Sequence, residues 1–200
     1  MSEKEVYILS EKTFNEVVQQ IPENLWDLHL PEWFQLGRTQ DRAYTALRTV
    51  INYHAYDTAW VPEVLAGKTI AEVGDTYDGD LLGDHPKDAY AAFSESAIKA
   101  AEELDDPNKV VHLSYGDFPA REYFMHITSF RGFRAYDLAK LIGVDTTLPP
   151  ELVEGMWNEF APHAEEWRKM GVFGEEVSLP ANASQQDRLI ALSGRDPRDK

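Results

Sequence analysis

A long helical segment enclosed by Pro119 and Gly143 constrains the fold of this chain more than any other feature. Proline suits the start of a helix and glycine its end, and the residues between them follow helical periodicity. One face of this predicted helix carries Ile127, Phe130, Arg134, Leu138 and Leu141. A charge on an apolar face must be paired or functional, because burying it alone costs several kcal/mol or more. Arg134, and Asp137 one turn later, are therefore candidate functional residues.

Further helices are predicted from the same periodicity and from proline and glycine punctuation. They span about 10–21, 40–61 with a last turn to 66, 86–104 and 149–170, and a short final helix is predicted over 185–193. Residues 109–115 are predicted to be extended, because Val110 and Val111 are β-branched. The pattern predicts one all-α domain over residues 1–200. Its expected architecture is an up-and-down four-helix bundle with additional short helices and an irregular C-terminal segment.

Charge and cysteine content exclude several classes of function. Acidic residues outnumber basic ones, 35 to 19, and the formal net charge of −16 argues against nucleic-acid binding and against docking on anionic membranes. The absence of cysteine excludes disulfides, a thiolate nucleophile and Cys-ligated zinc. The N-terminus has no apolar core of signal-peptide length, and no apolar run approaches the ~18 residues of a membrane span. We expect a cytoplasmic protein.

His54 lies on the apolar face of the second predicted helix and has two interpretations. It is either a hydrogen-bonded core histidine, or a metal ligand or proton carrier inside the bundle. Asp57 lies within one turn of it and is placed to orient the imidazole or share a ligand role, although an exposed Asp57 without a role fits equally well.

Arg134 and Asp137 also have two interpretations. They form either a structural ion pair or an anion clamp, in which a guanidinium binds a carboxylate or phosphate with help from Arg131. Tyr136, Tyr53 and the tryptophans are candidate walls of such a binding site. The acidic loop containing Asp75, Asp78, Asp80 and Asp84 has the wrong spacing for a calcium site and is predicted to be solvated. His163, Glu165 and Glu166 are predicted to form a solvated helix face.

Four stretches, in order, carry a family resemblance: TAWVPEVLAG, HLSYGDFPAREY, FRAYDLAKLIG and GVFGEEVSLPANASQQDRLIALSGRDP. Together they resemble the actinobacterial branch of the DinB/YfiT-like superfamily, which is related to mycothiol-dependent maleylpyruvate isomerases. The resemblance spans nearly the whole chain. It implies a DinB-like four-helix bundle that holds zinc or nickel and uses a low-molecular-weight thiol such as mycothiol in a transfer or isomerisation. A metal-bound thiol loses its proton near neutral pH, which makes it a nucleophile.

Only part of the family's metal-ligand set has a counterpart in this sequence. His54 matches the ligand on the second helix, whereas Phe130 and Arg134 stand at the other two ligand positions and cannot bind a metal. Tyr136 replaces the family's tryptophan. We therefore predict that an arginine cation stands near His54 where relatives hold a metal, and that this site binds metal weakly or not at all.

Three functions are compatible with the sequence. The chain is a thiol-dependent transferase or isomerase that uses His54, a non-catalytic bundle that binds a small anion through Arg134, or a structural protein. A small anionic ligand is the expected partner, and a monomer or homodimer is the expected assembly.

Overall fold

The computed structural model describes residues 1–34 and 45–199 and has the predicted all-α fold. Its main helices are α1 (Glu3–Gln19), α2 (Leu47–Ala66), α4 (Pro86–Glu102) and α5 (Ala120–Ile142), with a single-turn α3 (Ile70–Val73) after α2. The C-terminal part adds α6 (Pro150–Phe160), α7 (Ala164–Met170) and α8 (Gln185–Leu192), and short 3-10 segments lie at Glu23–Leu25, Glu32–Phe34 and Ala161–His163. None of the described helices combines the length and the apolar character needed to cross a bilayer.

The four long helices form a bundle. We call its side between α2 and α5 the open seam, because these two helices have fewer close backbone approaches than the other neighbouring pairs. Close backbone approaches join α5 to α1, α1 to α4 and α4 to α2, which leaves α2 and α5 at the two ends of this series. A hairpin of β1 (Val110–Leu113) and β2 (Gly116–Pro119) packs beside both α2 and α5. The strands are antiparallel, with Val110 opposite Pro119 and Leu113 opposite Gly116. Only β1 was expected from the sequence, because glycine, aspartate and proline are poor strand formers and conceal β2.

Several predicted helix ends are confirmed. Gly67, Gly143 and Gly171 end α2, α5 and α7 in the left-handed conformation, at φ of 89°, 75° and 77°. Glycine adopts this conformation without a Cβ penalty, and for that reason it marks helix ends in a sequence. The helix α2 continues through Pro62, so the predicted kink or stop there does not divide it into separate elements.

Two predicted boundaries are wrong, and a third lies outside the described residues. The first helix begins at Glu3, well before Ser10, because Ser2 and Glu5 form a capping box: the Ser2 amide donates to Glu5 Oε2 at 2.7 Å and the Glu5 amide to Ser2 Oγ at 3.4 Å. The predicted start of the second helix, Gln40, lies outside the described residues, and Ala46 is extended immediately before α2. The predicted helix over 149–170 is divided into α6 and α7 by a 3-10 turn that contains Pro162.

Candidate functional site

Arg131 is the centre of a polar network inside the bundle. Its side chain is 1% exposed, and its Nε donates to Glu11 Oε2 at 2.7 Å. Its Nη1 donates to His54 Nδ1 at 2.7 Å, and its Nη2 donates to Thr58 Oγ1 at 2.8 Å and to the His54 carbonyl at 3.2 Å. Tyr90 donates to the other Glu11 oxygen at 2.9 Å. The network connects α1, α2, α4 and α5 across the core.

The network fixes the protonation state of His54. An arginine is only a donor, so His54 Nδ1 must accept and the ring is neutral, with its proton on Nε2. Burial, followed by the positive fields of Arg131 and Arg134, holds the pKa of His54 well below its usual value. Its Nε2 is buried and has no hydrogen-bond partner within the described residues. His54 is therefore a core histidine in this structure, and proton transfer by it has little support.

The residues around His54 do not fit a metal ion. Arg131 occupies the hydrogen-bonding positions that Glu11 and His54 present, and a guanidinium beside them repels a second cation. No group of three His, Asp or Glu side chains able to hold a metal occurs within residues 1–34 and 45–199. Phe130, which the family resemblance aligns with a metal ligand, is 46% exposed and faces a cleft, so the expectation that it lies on the buried face of its helix is wrong.

The arginine that donates to His54 is Arg131, whereas Arg134, which we expected near His54, acts on the imidazole through its charge. Arg134 is 5% exposed and lies 3.2 Å from Asp137 Oδ2, as the ion-pair interpretation predicted, with its guanidinium 4.7 Å from the centre of the Phe34 ring. Burial lowers the pKa of Arg134 to about 10, although Asp137 opposes that shift. Asp57 is not held by either side chain through any hydrogen bond or ion pair of the described residues.

Asp137 also binds Arg195, a residue that the sequence interpretation missed. Arg195 Nε and Nη2 donate to the two carboxylate oxygens of Asp137 at 2.9 and 3.0 Å. This bidentate pair fastens the C-terminal GRDP element onto α5. Both partners lie in stretches that carry the family resemblance, Asp137 in FRAYDLAKLIG and Arg195 in the terminal GRDP, but nothing in the sequence joins one stretch to the other.

The Asp57 cleft, a cavity of about 400 Å³, lies between α2, the hairpin and α5. We use this name for the cavity into which Asp57 faces among aromatic side chains, namely Tyr53, Tyr56, Trp60, Tyr115, Tyr123 and Phe130. Two turns of α2 bring Tyr53, Asp57 and Trp60 to one side of the cleft, while Tyr123 and Phe130 come from α5. The open seam of the bundle therefore forms a cavity with aromatic walls.

Asp57 is an unpaired carboxylate in this cleft. It has no hydrogen bond or ion pair with any described residue, and its oxygens are not among the fully buried atoms. Burial raises the pKa of Asp57 to about 6, with a smaller raising effect from Glu11, and Arg131 opposes the shift. Burial and the charge of Asp57 together raise the pKa of Tyr115 to about 12 and shift that of Tyr123 upward as well. The charge of Asp57 thus adds to the effect of burial at both tyrosines.

A second, more apolar cavity of about 700 Å³ adjoins the first, and we name it the Trp167 cleft. It shares Tyr115 and Phe130 with the Asp57 cleft and extends along Met125, His126, Trp167 and Met170. The side chain of His126 lies 3.3 Å from the hydroxyl of Tyr115, and burial lowers its pKa. Tyr136, which we expected as a wall of a binding site, is buried in the core and lines neither cleft.

The acidic loop is mostly solvated, as predicted. Its Asp80 pairs with Arg48 at 2.9 Å, and Asp75, Asp78 and Asp84 are accessible to solvent. The polar cluster on α7 is likewise accessible, since both members of the His163–Glu166 pair, 4.0 Å apart, are at least half exposed.

Comparisons with known proteins identify no relative of this chain. No protein family matches it, and neither the curated proteins nor the solved structures contain a significant match.

Proposed function

We propose that this protein binds a small molecule in the Asp57 cleft and does so without a metal at His54. The observation that carries the proposal is the unpaired Asp57 carboxylate, which lies in an aromatic cavity and has a pKa raised to about 6. Small-molecule sites are concave, mostly apolar and supplied with a few polar groups. A perturbed carboxylate in a cleft is a marker of such a site.

The burial of Asp57 disfavours its charged form, and no described residue compensates for it. An ion pair or a hydrogen bond from a ligand would supply that compensation. The carboxylate is therefore better explained by a molecule that binds in the cleft than by a role in stabilising the free protein.

The proposal keeps the expected DinB-like relationship and changes its chemistry. In this bundle Arg131 supplies the positive charge that a metal would supply in the relatives that the sequence resembles. Binding of an anion by Arg134 would have to compete with Asp137, which lies 3.2 Å from it. For this reason we place the ligand at Asp57.

The second candidate function is a metal-free transferase or isomerase, with or without a thiol such as mycothiol. A general base is most effective when its pKa lies near the working pH, and the Asp57 pKa of about 6 meets that condition. His54 meets it poorly, because its Nδ1 accepts a hydrogen bond from Arg131 and its ring stays neutral. In this candidate Asp57 accepts a proton from the bound substrate.

A thermal-shift screen with blocked variants tests the proposal. The screen uses small amines, carboxylates and alcohols, because a ligand that binds only the folded state raises the melting temperature. Ser114 lines the cleft at the exposed hairpin turn, so Ser114→Trp should obstruct the cavity without disturbing the core. Ser96 is exposed on α4 and lines neither cleft, so Ser96→Trp is the matched control.

We expect at least one compound to raise the melting temperature of the wild type and of Ser96→Trp but not that of Ser114→Trp. Equal protection of both variants, or no protection by any compound class, would refute the proposal. Turnover of the protecting compound that is lost in Asp57→Asn would select the enzyme over the binding protein.

A further inference from the structure

We infer that the ligand of the Asp57 cleft is an organic cation, a primary or quaternary ammonium group attached to an apolar body that extends into the Trp167 cleft. This inference rests on the proposed function and reverses the charge that the sequence analysis predicted for the ligand. Four features of the described residues support it.

The first feature is the sign of the charges that line the two clefts. Among the described lining residues there is no lysine or arginine; the titratable side chains other than tyrosine are Asp57, Glu122, Glu166, His112, His126 and His163. An anion in either cleft would meet carboxylates and no permanent cation, whereas an ammonium group would meet an opposite charge at Asp57. The charge distribution therefore selects against anions.

The second feature is the aromatic wall around Asp57. The face of an aromatic ring attracts a cation within about 6 Å of its centre, and the attraction grows when the cation is desolvated. Trp60, the strongest side chain for this contact, is held between Tyr56 and Tyr77, with ring centres 6.0 and 6.1 Å away. Together with Tyr53 and Tyr123, it lines the same cavity as the carboxylate with electron-rich rings. This combination of a carboxylate and aromatic faces suits an ammonium group.

The third feature is that the protein's own cation with an effect on Asp57, Arg131, already has other hydrogen-bond partners. Arg131 influences the pKa of Asp57, but its guanidinium donates to Glu11, His54 and Thr58. Asp57 therefore keeps its acceptor positions for a ligand. A metal ion is a poor occupant, because no second carboxylate or histidine among the described residues joins Asp57 in a three-ligand group.

The fourth feature is the apolar surface beyond Phe130. Phe130, Met170 and Val172 are 46%, 54% and 43% exposed, although apolar side chains of this size are usually covered. All three line the Trp167 cleft, which adjoins the Asp57 cleft at Phe130 and Tyr115. An apolar body attached to the ammonium group would cover this surface, so affinity should rise with the length of the body.

Calorimetric titration with phenethylammonium tests the inference, with 2-phenylethanol as the neutral probe of similar shape. The net charge of −16 attracts any cation weakly, so the control must remove one acidic charge elsewhere. Asp57→Asn removes the proposed partner, and Asp84→Asn makes the same change on the exposed loop. Thermal melts of both variants establish that they are folded before titration.

We expect phenethylammonium to bind the wild type and Asp84→Asn with equal affinity, and Asp57→Asn and 2-phenylethanol each to weaken binding at least about tenfold. Equal affinity for Asp57→Asn, or for the neutral probe, would overturn the inference. Failure of phenethylammonium to bind would also overturn it. The proposed function would still stand if the thermal-shift screen yields another compound that protects the wild type but not Ser114→Trp. The proposed function and this inference would both fail if the screen yields no such compound.

A series of alkylammonium ions from propyl to hexyl tests the role of the Trp167 cleft separately. Each methylene that becomes buried should tighten binding about fourfold. Met170→Gln, at an exposed position of that cleft, should reduce the gain per methylene. Affinities that do not change with chain length would contradict the placement of the apolar body.

Discussion

Replacement of Arg131 by methionine should destabilise the fold more than almost any other single change of a polar residue. The substitution keeps much of the side chain's volume and removes a guanidinium that bonds Glu11, His54 and Thr58. Glu11 is 0% exposed, so its charge would stay in the core with the hydroxyl of Tyr90 as its one remaining partner among the described residues. Removing one member of a buried ion pair costs about 3–5 kcal/mol.

A double-mutant cycle separates this cost from the loss of packing. Glu11→Gln removes the orphaned charge and keeps an acceptor for Tyr90, so Arg131→Met combined with Glu11→Gln should regain about 2–4 kcal/mol over the sum of the single changes. Arg48→Met is the control, because its ion pair with Asp80 is largely solvated, and its loss should cost under about 1 kcal/mol.

Urea unfolding followed by circular dichroism measures each free energy of unfolding. The cycle remains informative if Arg131→Met is too unstable to fold, since the double variant should fold where the single one does not. A coupling free energy below about 0.5 kcal/mol between Arg131 and Glu11 would refute the reasoning, because it would mean that the pair is not buried as the structure describes.

Three further predictions concern other parts of the molecule. Burial raises the Asp57 pKa from 3.8 to about 6, so the folded state binds this proton more tightly than the unfolded one, and stability falls as pH rises from about 4 to 6. Asp57→Asn should therefore raise the free energy of unfolding at pH 7 by about 1–3 kcal/mol, with the gain lost below about pH 4 in urea titrations at the two pH values. Gly194→Ala should lower the free energy of unfolding by about 1–3 kcal/mol in the same assay. Gly194 has a φ of 90°, and an added Cβ would lie 2.6 Å from the backbone of Gly174. An unchanged free energy of unfolding would show that the turn before Arg195 is not as tight as described. Elemental analysis of protein purified without chelator should find the same low zinc and nickel content in the wild type and in His54→Ala. A stoichiometric metal that is present in the wild type and lost in the variant would instead support a metalloenzyme with His54 as a ligand.

The helices were predictable because their signals are local. Local signals give the limits of α4, α5 and α8 to within two residues: Pro86 begins α4, Pro119 and Gly143 enclose α5, and Ser184 caps α8. The capping box at Ser2 is an equally local signal, because Ser2 and Glu5 have capping-box spacing in the sequence itself. The turn at Pro162 is hard to recognise in the sequence, because the helical periodicity continues across it.

The interior of the site was only partly predictable. The sequence identified α5 as the element that carries buried charge, but it assigned Arg134 rather than Arg131 to His54. Periodicity distinguishes faces only when one face is solvated, and α5 is buried without interruption from Arg131 to Ala139. The choice between two arginines on adjacent turns therefore depends on the positions of α1 and α2, which no local pattern contains.

The Asp57 cleft could not be derived from any single segment. Asp57 was identified only as a neighbour of His54, while Tyr115, Tyr123 and Phe130 belong to a hairpin and a helix far along the chain. Their meeting at the open seam between α2 and α5 is a result of tertiary packing. The expected anionic ligand follows from Arg134 alone, whereas the inferred cation follows from the residues that line the two clefts.

The most direct test of this account is a measurement of the Asp57 pKa by carboxyl-detected NMR, first in the free protein and then with saturating phenethylammonium. We predict a pKa of about 6 in the free protein and a clear decrease when the cation binds, because a bound positive charge favours the carboxylate. A free pKa near the ordinary value of about 4, or a pKa that the cation leaves unchanged, would contradict the assignment of Asp57 as the ligand's anchor.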